Sequence, residues 1–249
     1  MIDLPWSELV AIGFIVVLGY TVYGITGFGS AIVAVPLLAH FLPLKFAVPM
    51  MLVFDLFAGF LLGLKNRQHL DSRELLRLLP FLLVGMAIGA TLLARVGDRW
   101  LLMVLGAFVL AYAGMNLLRK AAPAPISAAW AAPAGAVGGV FTALYGTGGP
   151  VYTMYLARRL SGKFVLRATI GILILTTALV RLALFTANGF YAQPGLLPLA
   201  FALVPCALAG YLAGAYLHGR LPAERVAQAV WLLLVAGGAG LLWRSLAMP

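Results

Sequence analysis

The stretch from Leu196 to Leu217 carries no charged side chain, and comparable apolar runs recur through most of the chain. A helix of about twenty residues crosses the hydrocarbon core of a bilayer, so runs of this length admit very few folds. Inside lipid every backbone N–H and C=O must find a partner within the protein, which only helices and closed barrels provide. These runs are rich in Leu, Ala and Gly and show no alternation of period two, which selects helices. Composition agrees, with 63% of the 249 residues hydrophobic, 10% charged and a mean hydropathy of +1.05. A soluble domain, whose exterior meets water, has no use for so much apolar surface. The expected fold class is therefore an all-α integral membrane protein with the lipid bilayer as its first partner.

The formal charge of +10 does not imply nucleic acid, because the basic residues stand at the ends of apolar runs instead of forming a stripe or an arm. They act as topology signals. If the loop after Leu64 is cytoplasmic, Lys65, Arg67, Arg73, Arg77, Arg119, Lys120, Arg158, Arg159, Lys163, Arg167, Arg220 and Arg225 all lie inside. Lys45, Arg95, Arg99 and Arg244 lie outside. This bias places both termini outside a bacterial-type inner (plasma) membrane. Cys206 stands alone, which excludes an internal disulfide, and His40, His69 and His218 have no metal-ligand spacing. No metal, cofactor or phosphate-binding loop is expected, and a cleavable leader is not expected either, since Asp3 and Glu8 precede the first apolar run.

Two glycine clusters interrupt the apolar sequence, Tyr23-Gly24-Ile25-Thr26-Gly27-Phe28-Gly29-Ser30 and Tyr145-Gly146-Thr147-Gly148-Gly149-Pro150. Each is read as the break of a hairpin made of a longer and a shorter helix. The first repeat, residues 1–122, is predicted to contain a hairpin over 9–42 and spans over 44–64, 76–94 and 100–118. The second, residues 123–249, is predicted to contain a hairpin over 128–160 and spans over 164–187, 196–217 and 222–242. The polar loop from Lys65 to Glu74 and the proline-bearing linker from Arg119 to Pro125 mark boundaries. Gly85, Gly89 and Arg95 recur at a constant offset as Gly210, Gly214 and Arg220, which supports duplication. Each repeat crosses an odd number of times, so the repeats are expected to be inverted, with their breaks meeting near the midplane.

The segments Gly24-x-x-Gly27-Phe28-Gly29-Ser30 with Pro36-Leu37-Leu38, and Gly146-Thr147-Gly148-Gly149-Pro150 with Arg167-Ala168-Thr169, resemble the TauE/SafE family of membrane transporters. The resemblance covers nearly the whole chain in length, duplication and motif placement. It implies export or uptake of a small anion, typically sulfite or an organosulfur compound such as sulfoacetate. Tyr155 stands roughly where the first repeat has Pro36, a departure that affects the bend of the second short helix.

Read as chemistry, the breaks supply donors without charge. Helices starting near Ser30 and Pro150 aim N–H groups and positive dipole ends at a small anionic substrate. Thr26, Ser30 and Thr147 add hydroxyls, Gly24, Gly27, Gly29, Gly146, Gly148 and Gly149 allow close approach, Phe28 lines the gap, and Tyr23 and Tyr145 donate or gate. The alternative is that these glycines only let helices pack closely, as Gly85-x-x-x-Gly89 and Gly210-x-x-x-Gly214 do. Asp55 and Arg181 are the acidic and basic residues placed deep within spans, and a charge at that depth is a functional candidate. Arg181 either binds the anion or snorkels to the interface. Asp55 either pairs with it, carries a coupling proton, or bonds within the bundle. The leading function is a secondary anion transporter working by alternating access, coupled to a proton or sodium ion. The alternative is a channel of the same architecture, and a homodimer is compatible with either. An intramembrane enzyme lacks a nucleophile and base to work with.

Overall fold

The computed structural model of the protein describes residues 5–27, 29–63, 70–118, 124–218, 220 and 223–247. Among the described residues ten α-helices follow in order: α1 (Trp6–Thr26), α2 (Ser30–Leu38), α3 (Leu44–Gly63), α4 (Ser72–Arg95), α5 (Asp98–Leu118), α6 (Ala131–Tyr145), α7 (Gly149–Arg159), α8 (Lys163–Ala187), α9 (Leu196–Leu217) and α10 (Ala223–Ala247). Single turns of 3-10 helix stand before α6 and between α8 and α9. Among the described residues seven stretches are long and apolar enough to cross a bilayer. Of the polar loop predicted from Lys65 to Glu74, residues 65–69 lie outside the described residues, while Ser72 to Glu74 already form the first turn of α4, which starts earlier than the predicted span; part of the linker, 119–123, also lies outside them.

The helices form two compact units that draw on both halves of the sequence. The first comprises residues 1–51, 95–120 and 192–249, the second 52–94 and 121–191. In the first unit α1 packs on α9 and folds back on α2, while α10 lies against α5 and α2. In the second unit α6 pairs with α7, and α7 touches α8. A spatial unit is thus not the same thing as a sequence half, since α9 and α10 join the first hairpin, and α4 joins the second.

Small residues explain these pairings. A Cβ on Gly210 would lie 2.3 Å from the Val17 carbonyl oxygen, and one on Gly214 would lie 2.2 Å from that of Thr21. In the second unit Gly85 meets the Ala136 carbonyl oxygen at 2.2 Å and Gly89 meets that of Val140 at 2.5 Å, measured in the same way. Helices with lipid on their outer faces gain little from burying apolar surface, so contact depends on close van der Waals packing, which a side chain at these four positions would prevent. Gly85-x-x-x-Gly89 and Gly210-x-x-x-Gly214 therefore do the same job against the long arm of a hairpin in each unit.

The first break is narrower than the sequence suggests. Gly24 lies within α1, buried, where a Cβ would come 2.5 Å from the Tyr211 carbonyl oxygen on α9. The helix stops at Gly27, whose φ of 82° places it in the left-handed region and whose N–H donates to the Tyr23 carbonyl at 2.7 Å. Gly29, with φ of 94°, then opens α2. Ser30, which the sequence also suits to capping the short helix, is instead the first residue of α2, with Gly29 in the cap position. The second hairpin follows the same course: α6 ends at Gly146, with φ of 71°, and α7 begins at Gly149. Gly27 and Gly146, Ser30 and Gly149, and the first residues of α3 and α8 are each separated by 119 positions.

Candidate functional site

The second unit collects most of the chemistry. Pro150 sits in the first turn of α7, where its missing N–H costs nothing. Val151 and Tyr152 both donate to the Gly148 carbonyl, at 3.0 and 3.4 Å. Among the described residues no backbone carbonyl accepts from Gly148 or Gly149, so the tip of α7 keeps the donors of its first residues, as helix N-termini do. Gly148 is fixed by crowding and not by an unusual φ. Its φ is −68°, but an added Cβ would stand 1.8 Å from the Thr142 hydroxyl oxygen and 2.1 Å from the Gly138 carbonyl oxygen. The Thr147 hydroxyl, on a residue 1% exposed, has no hydrogen-bond partner among the described residues.

Asp55 and Arg181, from α3 and α8, meet in this unit. The Arg181 Nη2 donates to the Asp55 Oδ2 at 2.9 Å, and the two residues are 3% and 7% exposed, respectively. The guanidinium is thus held inside the unit by Asp55. A buried pair survives only when each ion is compensated, because taking charges out of water costs several kcal/mol per ion. Asp55 compensates one nitrogen. The Nε and Nη1 groups of Arg181 are buried and have no acceptor among the described residues. A buried donor left unmade costs about 1–3 kcal/mol, more when charged, so this edge of the guanidinium favours any acceptor that reaches it.

The surroundings are polar and donor-rich. The Tyr152 phenol faces the Thr142 and Thr177 hydroxyls and lies within the fields of Arg181 and Asp55. Thr177 itself donates to the Ile174 carbonyl, and Thr176 to that of Ile172, each at 2.9 Å, the helical back-bonding expected of them. In the turn after α8, burial pushes the Tyr191 phenol up to about 12, with Arg181 pulling the other way and Asp55 adding to the rise. Tyr191 thus remains a neutral phenol at any physiological pH.

The remaining candidates divide clearly. Tyr145 is fully buried and packs on Phe141, with ring centroids 5.8 Å apart. In the first unit Tyr23 is buried between Tyr20 and Tyr211, at 5.9 and 6.3 Å. The Thr26 hydroxyl donates to the Val22 carbonyl at 2.8 Å, and Ser30 is 4% exposed. Phe28 lies outside the described residues.

One cluster escapes sequence reasoning. Glu74, in the first turn of α4 and 4% exposed, accepts from the Tyr155 hydroxyl at 2.5 Å, from Arg159 Nη2 at 2.7 Å and from Arg77 Nη1 at 2.6 Å. Arg159 also donates to the Ile126 carbonyl at 3.2 Å. The carboxylate clamps the end of α7 to the start of α4. Its partners on α7 are 81 and 85 residues away, so no local spacing announces it. The available signal was an acid closing the polar loop just before a predicted span and an arginine pair at the end of a hairpin.

Comparison with known proteins now bears on this arrangement. Residues 11–241 match the family described as Sulfite exporter TauE/SafE. The chain belongs to the TauE/SafE family. It is accordingly a multi-pass membrane transporter and not an enzyme. It is similar to the "Probable inner membrane transporter protein TsaS" of Comamonas testosteroni, 28% identical over 200 residues, which covers 78% of this chain and 83% of that protein. No solved structure matches the chain.

Proposed function

We infer that this TauE/SafE protein is a secondary transporter of a small oxyanion, with sulfite and small organosulfonates or organic acids as the substrate class. The observation that carries the reading is the buried Arg181 guanidinium, half engaged by Asp55 and offering Nε and Nη1 to a further acceptor. A guanidinium presents planar paired donors suited to an oxyanion. Thr147 and the Gly148–Gly149 end of α7 add uncharged donors in the same unit. Sulfite and organosulfonates follow from the family; the geometry supports only the oxyanion.

Charge supports a coupled mechanism. Arg181 and Asp55 cancel when both are ionised, so an arriving monoanion leaves the site with one uncompensated negative charge in a medium that penalises it. Protonation of Asp55 restores neutrality and frees Arg181 for the substrate. Asp55 is therefore the candidate carrier of a coupling proton. Alternating access between inverted repeats is supported by the recurrence of hairpin geometry at 119 positions, and outside termini by the asymmetry of basic residues.

The test is uptake into proteoliposomes of purified protein, comparing sulfite, sulfoacetate, thiosulfate and acetate with an imposed pH gradient. The expected result is accumulation of one sulfur oxyanion above its equilibrium level and its loss in Arg181→Gln. Flux that only dissipates a gradient would replace the transporter with a channel. Unchanged accumulation in Arg181→Gln would remove the site.

A further inference from the structure

The base of the second hairpin carries a separate groove of about 310 Å³ that the transport reading does not use. Its walls are apolar and come from both arms, with Trp130, Pro133 and Val137 on the α6 side and Val151 and Met154 on α7. From Trp130 to Val137 it runs about 10 Å along the helix at 1.5 Å per residue. Trp130 and Val137 are 58% and 47% exposed, so the groove opens toward the surroundings of the protein.

One end is charged. Arg158, at the last turn of α7, lines the groove, and its Nε is buried without a partner among the described residues. Its neighbour Arg159 is engaged by Glu74 and the Ile126 carbonyl, which leaves Arg158 as the guanidinium facing the groove. The same end holds Ser127, which caps the turn before α6, and Trp130, a residue type that favours the membrane–water boundary. An apolar channel along a hairpin with an arginine at its interfacial mouth matches one chemistry, an acyl chain joined to an anionic headgroup.

We propose that this groove is a binding site for an anionic phospholipid, with one acyl chain between α6 and α7 and the headgroup phosphate on Arg158. A second protein copy fits less well, since it would have to bring a carboxylate to Arg158 as well as a slender apolar segment. Arginine suits phosphate through its paired donors, and an interfacial basic residue attracts anionic lipid. The site is independent of Arg181 and stands or falls without it.

Native mass spectrometry of the full-length protein tests this, with phosphatidylglycerol and phosphatidylcholine of equal chain length added in equal amounts to delipidated samples. Wild type is expected to retain phosphatidylglycerol, with a preference over phosphatidylcholine that falls by about fivefold in Arg158→Gln and persists in Arg158→Lys. Ala134→Phe, which fills the groove from α6, is expected to lower retention of both lipids while leaving the melting temperature near wild type. Equal retention of the two lipids by wild type would overturn the proposal. So would retention unchanged in both Arg158→Gln and Ala134→Phe, displacement of lipid by inorganic phosphate at equal concentration, or a dimer mass lost in these variants in place of a lipid adduct.

Discussion

At the scale of single residues, the site is defined by which polar groups are satisfied. Removing one member of a buried ion pair costs about 3–5 kcal/mol, because the other is left charged and alone. Asp55→Asn is therefore expected to lower the melting temperature of detergent-solubilised protein, and replacing the pair by Asn and Leu together is expected to recover part of the loss. Asp55→Asn also mimics the protonated acid, so residual uptake should lose its dependence on a pH gradient; retained dependence would remove Asp55 from coupling. Thr147 makes the opposite prediction. Its hydroxyl has no partner to lose among the described residues, so Thr147→Val should leave thermal stability nearly unchanged. If the hydroxyl serves the anion, its loss weakens binding by about 0.5–1.5 kcal/mol, read as a rise in the concentration for half-maximal uptake.

At the scale of elements, the glycines separate into packing and turning positions. Gly148→Ala would drive a methyl group into Thr142 and the Gly138 carbonyl. Both sit on the facing helix, so the tip of α7 must move and uptake is expected to be lost even where the protein still inserts. Gly214→Ala would push α9 from α1, an overpacking that typically costs about 1–3 kcal/mol. Gly97 has open space around it, so Gly97→Ala serves as the control in the same melting assay. Much of this level was legible in the sequence. The prediction for α9 coincides with the helix from Leu196 to Leu217, because an uninterrupted apolar run leaves no other boundary. Gly24 was assigned to the break because a sequence shows glycine density but not which glycine takes a positive φ. Only the approach of Tyr211 shows that Gly24 serves packing. Arg181 and Asp55 were visible as isolated charges in spans, whereas Glu74, Tyr155 and Arg159 meet only because α4 and α7 fold together.

At the scale of the whole molecule, orientation is the quantity to measure. The distribution of basic residues predicts that the turn at Asn188 faces outward and the turn at Ser161 faces inward, and both residues are exposed. In a Cys206→Ala background, Asn188→Cys is expected to react with a membrane-impermeant maleimide added to intact cells, and Ser161→Cys only after permeabilisation. The reverse pattern would invert the topology and place both termini in the cytoplasm. The shared packing role of Gly85 and Gly89 with Gly210 and Gly214 was legible as a recurrence at a constant offset. The separation of 119 positions in the hairpins shows in the sequence through Gly19 with Gly138, Gly27 with Gly146 and Gly29 with Gly148, and it is the offset that sets Tyr155 against Pro36.

The unfilled side of the Arg181 guanidinium has a practical consequence for finding the cargo. A protein that waits with charged donors unanswered is more comfortable when its solute arrives, and that relief is felt by the folded state alone. Heating the purified transporter in the presence of one candidate solute at a time should therefore rank them by the delay in unfolding, without any measurement of flux, and the ranking should vanish when Arg181 is replaced by glutamine.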